Sequence, residues 1–320
     1  MRLTAFSIAM LLAAAPALAD SSTIPAPGAT ATPPPGVTGT GILGGPASQA
    51  EIDQAQKYAT CMSLADSAPD EALTMAKAWQ RKNGGAPAGH CAAVALVGLG
   101  HYKEAASAME KLAAEEVKEH SDLAAGLYGQ AAQAWVLAND NARAVKDETA
   151  AIALAPGNPD LLVDRGVILA STGKYWEAVD DFSKAHDMAD GRADILVFRA
   201  TAYRMLKSFD LAQDDLDRAI ELQPKNPDAY LERGIVRMLV KDADGAKADW
   251  QKTVDFGPGT PAAKTAEANL KQLEAPPPAP AAAPQPATAT PATPTAPVQP
   301  APEPPPAEPI NPQLPLVPQP

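Results

Sequence analysis

Small side chains recur every 34 residues through the middle of this chain, and that spacing constrains its fold more than any other feature. One series runs Ala132, Gly166, Ala200 and Gly234; a second runs Ala144, Ala178, Ala212 and Ala246; a third runs Ala151, Ala185, Ala219 and Thr253. Pro156, Pro224 and Pro258 fall on the same period, with Asp190 in the slot between the first two. Large residues hold registers of their own: Tyr128, Leu162, Leu196 and Tyr230 in one, Phe182, Leu216 and Trp250 in another. A fixed period of this length marks a stacked array of one supersecondary unit.

The pattern resembles that of the tetratricopeptide repeat, and the resemblance implies two antiparallel helices in each unit. Gly or Ala where the helices cross lets their backbones approach, and an Ala opposite it does the same from the other side. The third series then faces the next unit, and the closing proline cannot continue a helix and resets the chain. No single pair buries its apolar faces, so stacking makes the core.

These residues resemble the tetratricopeptide repeat, a helix-turn-helix of 34 residues. The resemblance covers four in-phase units, 125–158, 159–192, 193–226 and 227–260. Two weaker units near 53–86 and 86–119 are phased on Ala72 and Ala105, with about five residues inserted near His120 to Ala124. Thr260 and Pro261 suit the start of a capping helix over 261–274. The expected fold is therefore all-α: a right-handed α-solenoid of about six helix pairs plus a C-terminal capping helix, over 51–274, with disordered arms at both ends. Two departures stand out. Glu148 occupies the Phe182 register, which predicts a looser third pair, and Arg237 occupies the register of Trp135, Leu169 and Tyr203.

The arms are set by composition. Met1-Arg2, the apolar run Leu3–Leu18 and Ala17-Leu18-Ala19 read as a signal peptide cleaved after residue 19. Residues 20–50 form a Pro/Gly/Thr linker. Its Gly39-Thr40-Gly41-Ile42-Leu43-Gly44 matches GxGxxG but lacks the strand and helix that a nucleotide site needs. Residues 275–320 carry 19 prolines and form an extended proline-rich tail. No stretch after the signal is apolar enough to span a bilayer. The reading is an exported protein of bacterial type, periplasmic, with secretion as the alternative. A net charge of −12 argues against nucleic acid, whose phosphates demand clustered Lys and Arg.

Several residue sets carry specific expectations. Arg165, Arg199 and Arg233 are each followed sixteen residues later by Asp181, Asp215 and Asp249, which predicts one structural ion pair per unit, closing each hairpin. Cys61 and Cys91 fall on first helices of adjacent units, and an even cysteine count in an exported chain predicts a disulfide. His90, His101, His120 and His186 lack metal-site spacing and read as surface or turn residues. No GxSxG, HExxH or GxxxxGK is present, so no enzyme activity, cofactor or metal is expected.

The resemblance also implies a partner-binding groove on the inner face. Its lining would be Asp160, Val163, Val167, Asp194, Val197, Thr201, Arg204, Asp228, Leu231, Ile235 and Met238. Ordinary packing of that stripe is the competing reading. The Lys, Asn and Arg clamp of chaperone-binding family members is not reproduced. The implied function is protein–protein scaffolding in the cell envelope, through a protein or peptide held in this groove. An accessory or assembly role for a cell-wall or outer-membrane enzyme complex, and a self-associating structural role, remain open at this point.

Overall fold

The structure is a computed structural model and describes residues 48–274. The expected signal peptide, most of the expected linker with its GxGxxG match, and the expected proline-rich tail lie outside the described residues. Thirteen helices follow one another among the described residues. They are α1 (Gln49–Ser67), α2 (Pro69–Gln80), α3 (Gly85–Gly98), α4 (Tyr102–Glu116), α5 (Ser121–Leu137), α6 (Asn141–Leu154) and α7 (Pro159–Ser171). Then come α8 (Tyr175–Met188), α9 (Ala193–Met205), α10 (Phe209–Leu222), α11 (Pro227–Leu239), α12 (Ala243–Phe256) and α13 (Pro261–Glu274). Odd and even helices pair as hairpins, each pair packs on the next, and α13 packs on both α11 and α12. First helices also touch one another, α1 with α3, α7 with α9 and α9 with α11. This is an all-α solenoid of six helix pairs with a closing helix.

Local chemistry sets the helix ends. Ser48 accepts from the Glu51 amide, and Glu51 accepts from the Ser48 amide in return, so α1 opens on a capping box. That cap starts the solenoid at Gln49, inside the expected linker. Asn158 and Asn226 cap α7 and α11, each followed by a proline in the first turn. Thr260 accepts from the Ala263 amide at the start of α13.

The turn inside each of the last five pairs closes on one left-handed residue: Gly100, Asn139, Gly173, Lys207 and Lys241, with φ between 59° and 80°. The amide after it reaches back to the first helix, as from Lys174 to the Leu169 carbonyl at 3.0 Å and from Asp242 to Arg237 at 2.8 Å. This is the Schellman closure, which satisfies carbonyls that a helix end leaves open.

The small-residue series lie inside. Ala132, Ala144, Ala151, Ala178, Ala185, Ala212, Ala219 and Ala246 are fully buried, and so is Thr253; Ala200 is 1% exposed. Gly166 and Gly234 lie against aromatic rings. A Cβ at 166 would stand 2.6 Å from Phe182, and one at 234 would stand 2.5 Å from Trp250. Phe182 also stacks on Phe198 of α9, with ring centroids 5.8 Å apart, so one ring joins consecutive pairs.

One expectation needs correction. The third pair is not loosened at Glu148: that side chain is fully buried and the pair packs as closely as its neighbours. The cost appears in unpaired polar atoms, since neither carboxylate oxygen of Glu148 has a hydrogen-bond partner. The residues inserted near His120 are taken up at the start of a helix. They lengthen α5 to 17 residues, against 13 in α7, α9 and α11.

Candidate functional site

Three arginines run along the stack at equivalent places. Arg165 donates to Asp181 through Nε and Nη2 at 2.8 and 2.7 Å; Arg199 holds Asp215 at 2.8 and 2.7 Å; Arg233 holds Asp249 at 2.8 and 2.8 Å. Each pair is bidentate and joins the first helix of a hairpin to its second, the geometry in which Arg and carboxylate interact most strongly. Asp181, Asp215 and Asp249 are buried. Hydrogen bonding to Asp181 and to Asp215 holds the Arg165 and Arg199 guanidiniums above their ordinary range.

The sequence reading missed the other half of each contact. The remaining Nη1 reaches back to the preceding hairpin. Arg165 donates to Thr149 at 3.1 Å, Arg199 to Ser183 at 3.2 Å and Arg233 to Asp217 at 2.6 Å. Thr149, Ser183 and Asp217 are themselves 34 apart and precede each arginine by sixteen residues. The same periodic count would have found them. Each arginine therefore ties three helices, two of its own hairpin and one of the pair before it. Arg237, the departure noted in the sequence, adds a second guanidinium to Asp249 at 2.8 Å.

The first helices carry a second set of charges. Arg192, just before α9, bonds both Asp160 of α7 and Asp194 of α9, reaching Asp194 at 3.1 and 2.6 Å. Arg204 of α9 bonds Glu232 of α11 at 2.9 Å. Asp164 lies nearby; burial, then Asp160, push it up to about 7 against the pull of Arg192. Burial and Glu232 raise Asp228.

The expected groove is corrected in its apolar part. Val163 and Val167 are 1% exposed and pack in one cluster with Ile195, Phe198 and Ala202. Val197, Thr201 and Leu231 are also buried. Leu231 and Ile235 sit in the cluster that includes Ala262, Ala266, Leu270 and Leu273 of α13, so the cap helix covers that end of the stripe. Position in the repeat had marked these residues as a surface, but neighbouring first helices and α13 pack over them. Asp160 and Met238 remain exposed, and Asp194, Arg204, Asp228 and Ile235 remain half-buried.

At the N-terminal end, Cys61 of α1 and Cys91 of α3 form a disulfide with Cα atoms 6.1 Å apart. Beside it, Tyr58 Oη lies 2.8 Å from His90 Nδ1, and His90 Nε2 lies 2.6 Å from Gln130 Oε1. His90 is thus a packed residue linking α1, α3 and α5, not the surface residue expected of it. Burial lowers its pKa and pushes the Tyr58 hydroxyl up to about 12. His101 and His120 are exposed. Among the described residues no group of three or more His, Cys, Asp or Glu is placed to hold a metal, and no helix is long and apolar enough to cross a membrane.

Comparison with known proteins agrees with this architecture. Residues 193–226, which are α9, α10 and their turns, match the tetratricopeptide repeat family model. The chain is similar to the crystal structure of the APC/C hetero-tetramer Cut9–Hcn1, with 18% identity and a TM-score of 0.50, covering 70% of this chain and 44% of that one. It is also similar to MamA 41-end from Desulfovibrio magneticus RS-1, with 17% identity and a TM-score of 0.48, covering 55% and 97%. YrrB, a TPR protein with an unusual peptide-binding site, matches at 18% identity and a TM-score of 0.45, covering 60% and 96%. No curated protein matches the sequence. The fold is an all-α solenoid with one helix pair that matches the tetratricopeptide repeat, and proteins of that family mediate protein or peptide interactions.

Proposed function

We propose that this protein is an exported scaffold of the cell envelope that binds a partner protein along its first helices and carries no chemistry of its own. The observation behind this reading is the tetratricopeptide match at 193–226, set in a stack whose other pairs repeat the same contacts. Fold by itself does not fix function. The acidic residues of the first helices narrow it. Asp160, Asp194 and Asp228 recur one per repeat, with Asp164 and Glu232 beside them. Among the described residues only Arg192 and Arg204 answer these acids in ion pairs. A basic segment of a partner suits that face, now that most of the apolar residues expected to line it are buried.

Export is supported by the N-terminal apolar run and by the joined cysteines, since disulfides persist in oxidising compartments. Non-reducing mass spectrometry of protein recovered from cells should find one bridge and a chain that begins after residue 19. Photo-crosslinkers placed at Asp160, Asp194 and Met238 in living cells should capture one protein reproducibly. Capture that is no greater than from a crosslinker at Lys184, exposed on α8, would sink the scaffold reading.

A further inference from the structure

The arginine ladder has one gap. Counting back 34 residues from Arg165 and Asp181 gives Ala131 on α5 and Asp147 on α6. The residue matching Thr149, Ser183 and Asp217, displaced by the five inserted residues, is Glu110 on α4. Both acceptor positions of the ladder are therefore kept, and both are acids, but the arginine between them is replaced by a buried methyl group. The same pairing of two carboxylates, Asp249 and Asp217, holds Arg233 three repeats further on.

Asp147 is 1% exposed, and its Oδ2 has no hydrogen-bond partner. Glu110 accepts the Trp135 indole N–H at 3.2 Å. An open recess of about 420 Å³ lies at the pair, lined by Ser107, Glu110, Lys111, Tyr128, Lys146 and Asp147, among others. Burial, then the facing Glu110, push Asp147 up to about 7, with Lys146 opposing. Neither lysine forms an ion pair with the two acids, and Lys111 lies 4.0 Å from Glu115 instead. The two carboxyls adjoin at the recess, within hydrogen-bonding reach of each other and of the Trp135 indole, and a pair of carboxylates matches the planar fork of a guanidinium better than a single ammonium.

We infer that Glu110 and Asp147 form a receptor for an alkyl guanidinium, supplied by an arginine side chain of a partner protein. The bound arginine takes the place that Arg165, Arg199 and Arg233 take in the later repeats. The two acids stand on the second helices α4 and α6 and not on the first-helix face proposed above, so the site goes beyond that reading and is testable apart from it. A small guanidinium compound can fill it whatever the crosslinking outcome.

The experiment titrates the mature chain with N-acetyl-arginine methylamide, free L-arginine and N-acetyl-citrulline methylamide, following the Trp135 indole N–H resonance. The arginine amide should give a saturable shift at millimolar concentration, and the neutral citrulline analogue at least tenfold weaker binding. Asp147→Asn should weaken the arginine amide at least tenfold. Affinity should rise at least threefold from pH 6 to pH 8, as Asp147 loses its proton. Ala131→Arg should abolish binding by filling the slot from within; if that variant does not fold, Asp147→Asn still decides the matter. No shift with either guanidinium compound, equal binding of citrulline, or unchanged affinity in Asp147→Asn would each overturn the site. Tighter binding of free arginine than of its blocked amide would overturn the assignment to a partner's side chain.

Discussion

Gly234 lies so close beneath Trp250 that a methyl group at position 234 would stand 2.5 Å from the indole Nε1. The same relation holds between Gly166 and Phe182, at 2.6 Å. Where the crossing residue is alanine, its partner is not aromatic: Ala200 matches Leu216, and Ala132 matches Glu148. The small-residue series and the large-residue series are thus complementary, one residue on each helix sharing a fixed gap. Gly234→Ala should destabilise the protein by about 1–3 kcal/mol through overpacking. Adding Trp250→Leu should recover part of the loss, because Ala with Leu is the combination in the fifth pair. Recovery should be incomplete, since the Trp250 hydrogen bond to the Leu231 carbonyl at 3.3 Å is lost. Urea denaturation of the two single variants and the double variant measures the coupling, and strictly additive effects would contradict it.

The ladder predicts an asymmetry between buried and exposed ion pairs. Asp215→Asn leaves Arg199, with only 17% of its side chain exposed, without its charged partner. The expected loss is about 2–4 kcal/mol, because a stranded interior charge costs more than the pair contributes. Removing Glu221 from the pair with Arg218, where the two side chains are 59% and 65% exposed, should change stability by less than about 0.5 kcal/mol. Thermal melts of Asp215→Asn and Glu221→Gln compare the two directly.

Glu148 and Asp164 make stability depend on pH. Burial, then Asp164, raise the Glu148 carboxyl well above its usual range, while burial and Asp160 push Asp164 up to about 7. An acid whose folded pKa exceeds its unfolded value binds more protons in the native state, so stability falls as pH rises between the two values. For Asp164 that window runs from the ordinary aspartate value of 3.8 to about 7. The urea midpoint should be higher at pH 5 than at pH 8. Glu148→Leu, which copies Leu216, should raise the midpoint and do so more at pH 8 than at pH 5. A uniform gain across that range would show that Glu148 is not the titrating group.

Lys207 and Lys241 close their turns at φ of 62° and 70°, where Gly173 serves the equivalent turn at 80°. A side chain in this region carries a steric cost that glycine avoids. Lys241→Gly should stabilise the protein by about 0.5–1 kcal/mol, and Gly173→Ala should destabilise it by a similar amount. Calorimetry on both variants checks the sign.

Periodicity made much of this fold legible. The 34-residue steps phased the small and large residues that meet inside each hairpin, and they placed each arginine opposite its aspartate. Those contacts follow from spacing within one repeating unit, so counting suffices. The groove was less legible. Val163, Val167 and Leu231 occupy first-helix positions that can line an open face, yet Ile195, Phe198 and the α13 residues pack beside them. His90 gave no sequence signal of its link to Tyr58 and Gln130, which stand 32 and 40 residues away, off the repeat period.

The sequence by itself determined the unit: which helices pair, where small residues let them touch, and which charges face each other across a hairpin. These are short-range consequences of helix geometry, and they recur because the same residues recur. The tertiary structure decided what each unit meets in its neighbours. It covered the apolar stripe with adjacent helices, carried each arginine's third contact back into the preceding pair, and brought Glu110 and Asp147 together around a missing arginine. The reason is physical: burial and partnership between repeats depend on how far one pair is turned and shifted against the next. Small residues permit that packing without specifying it.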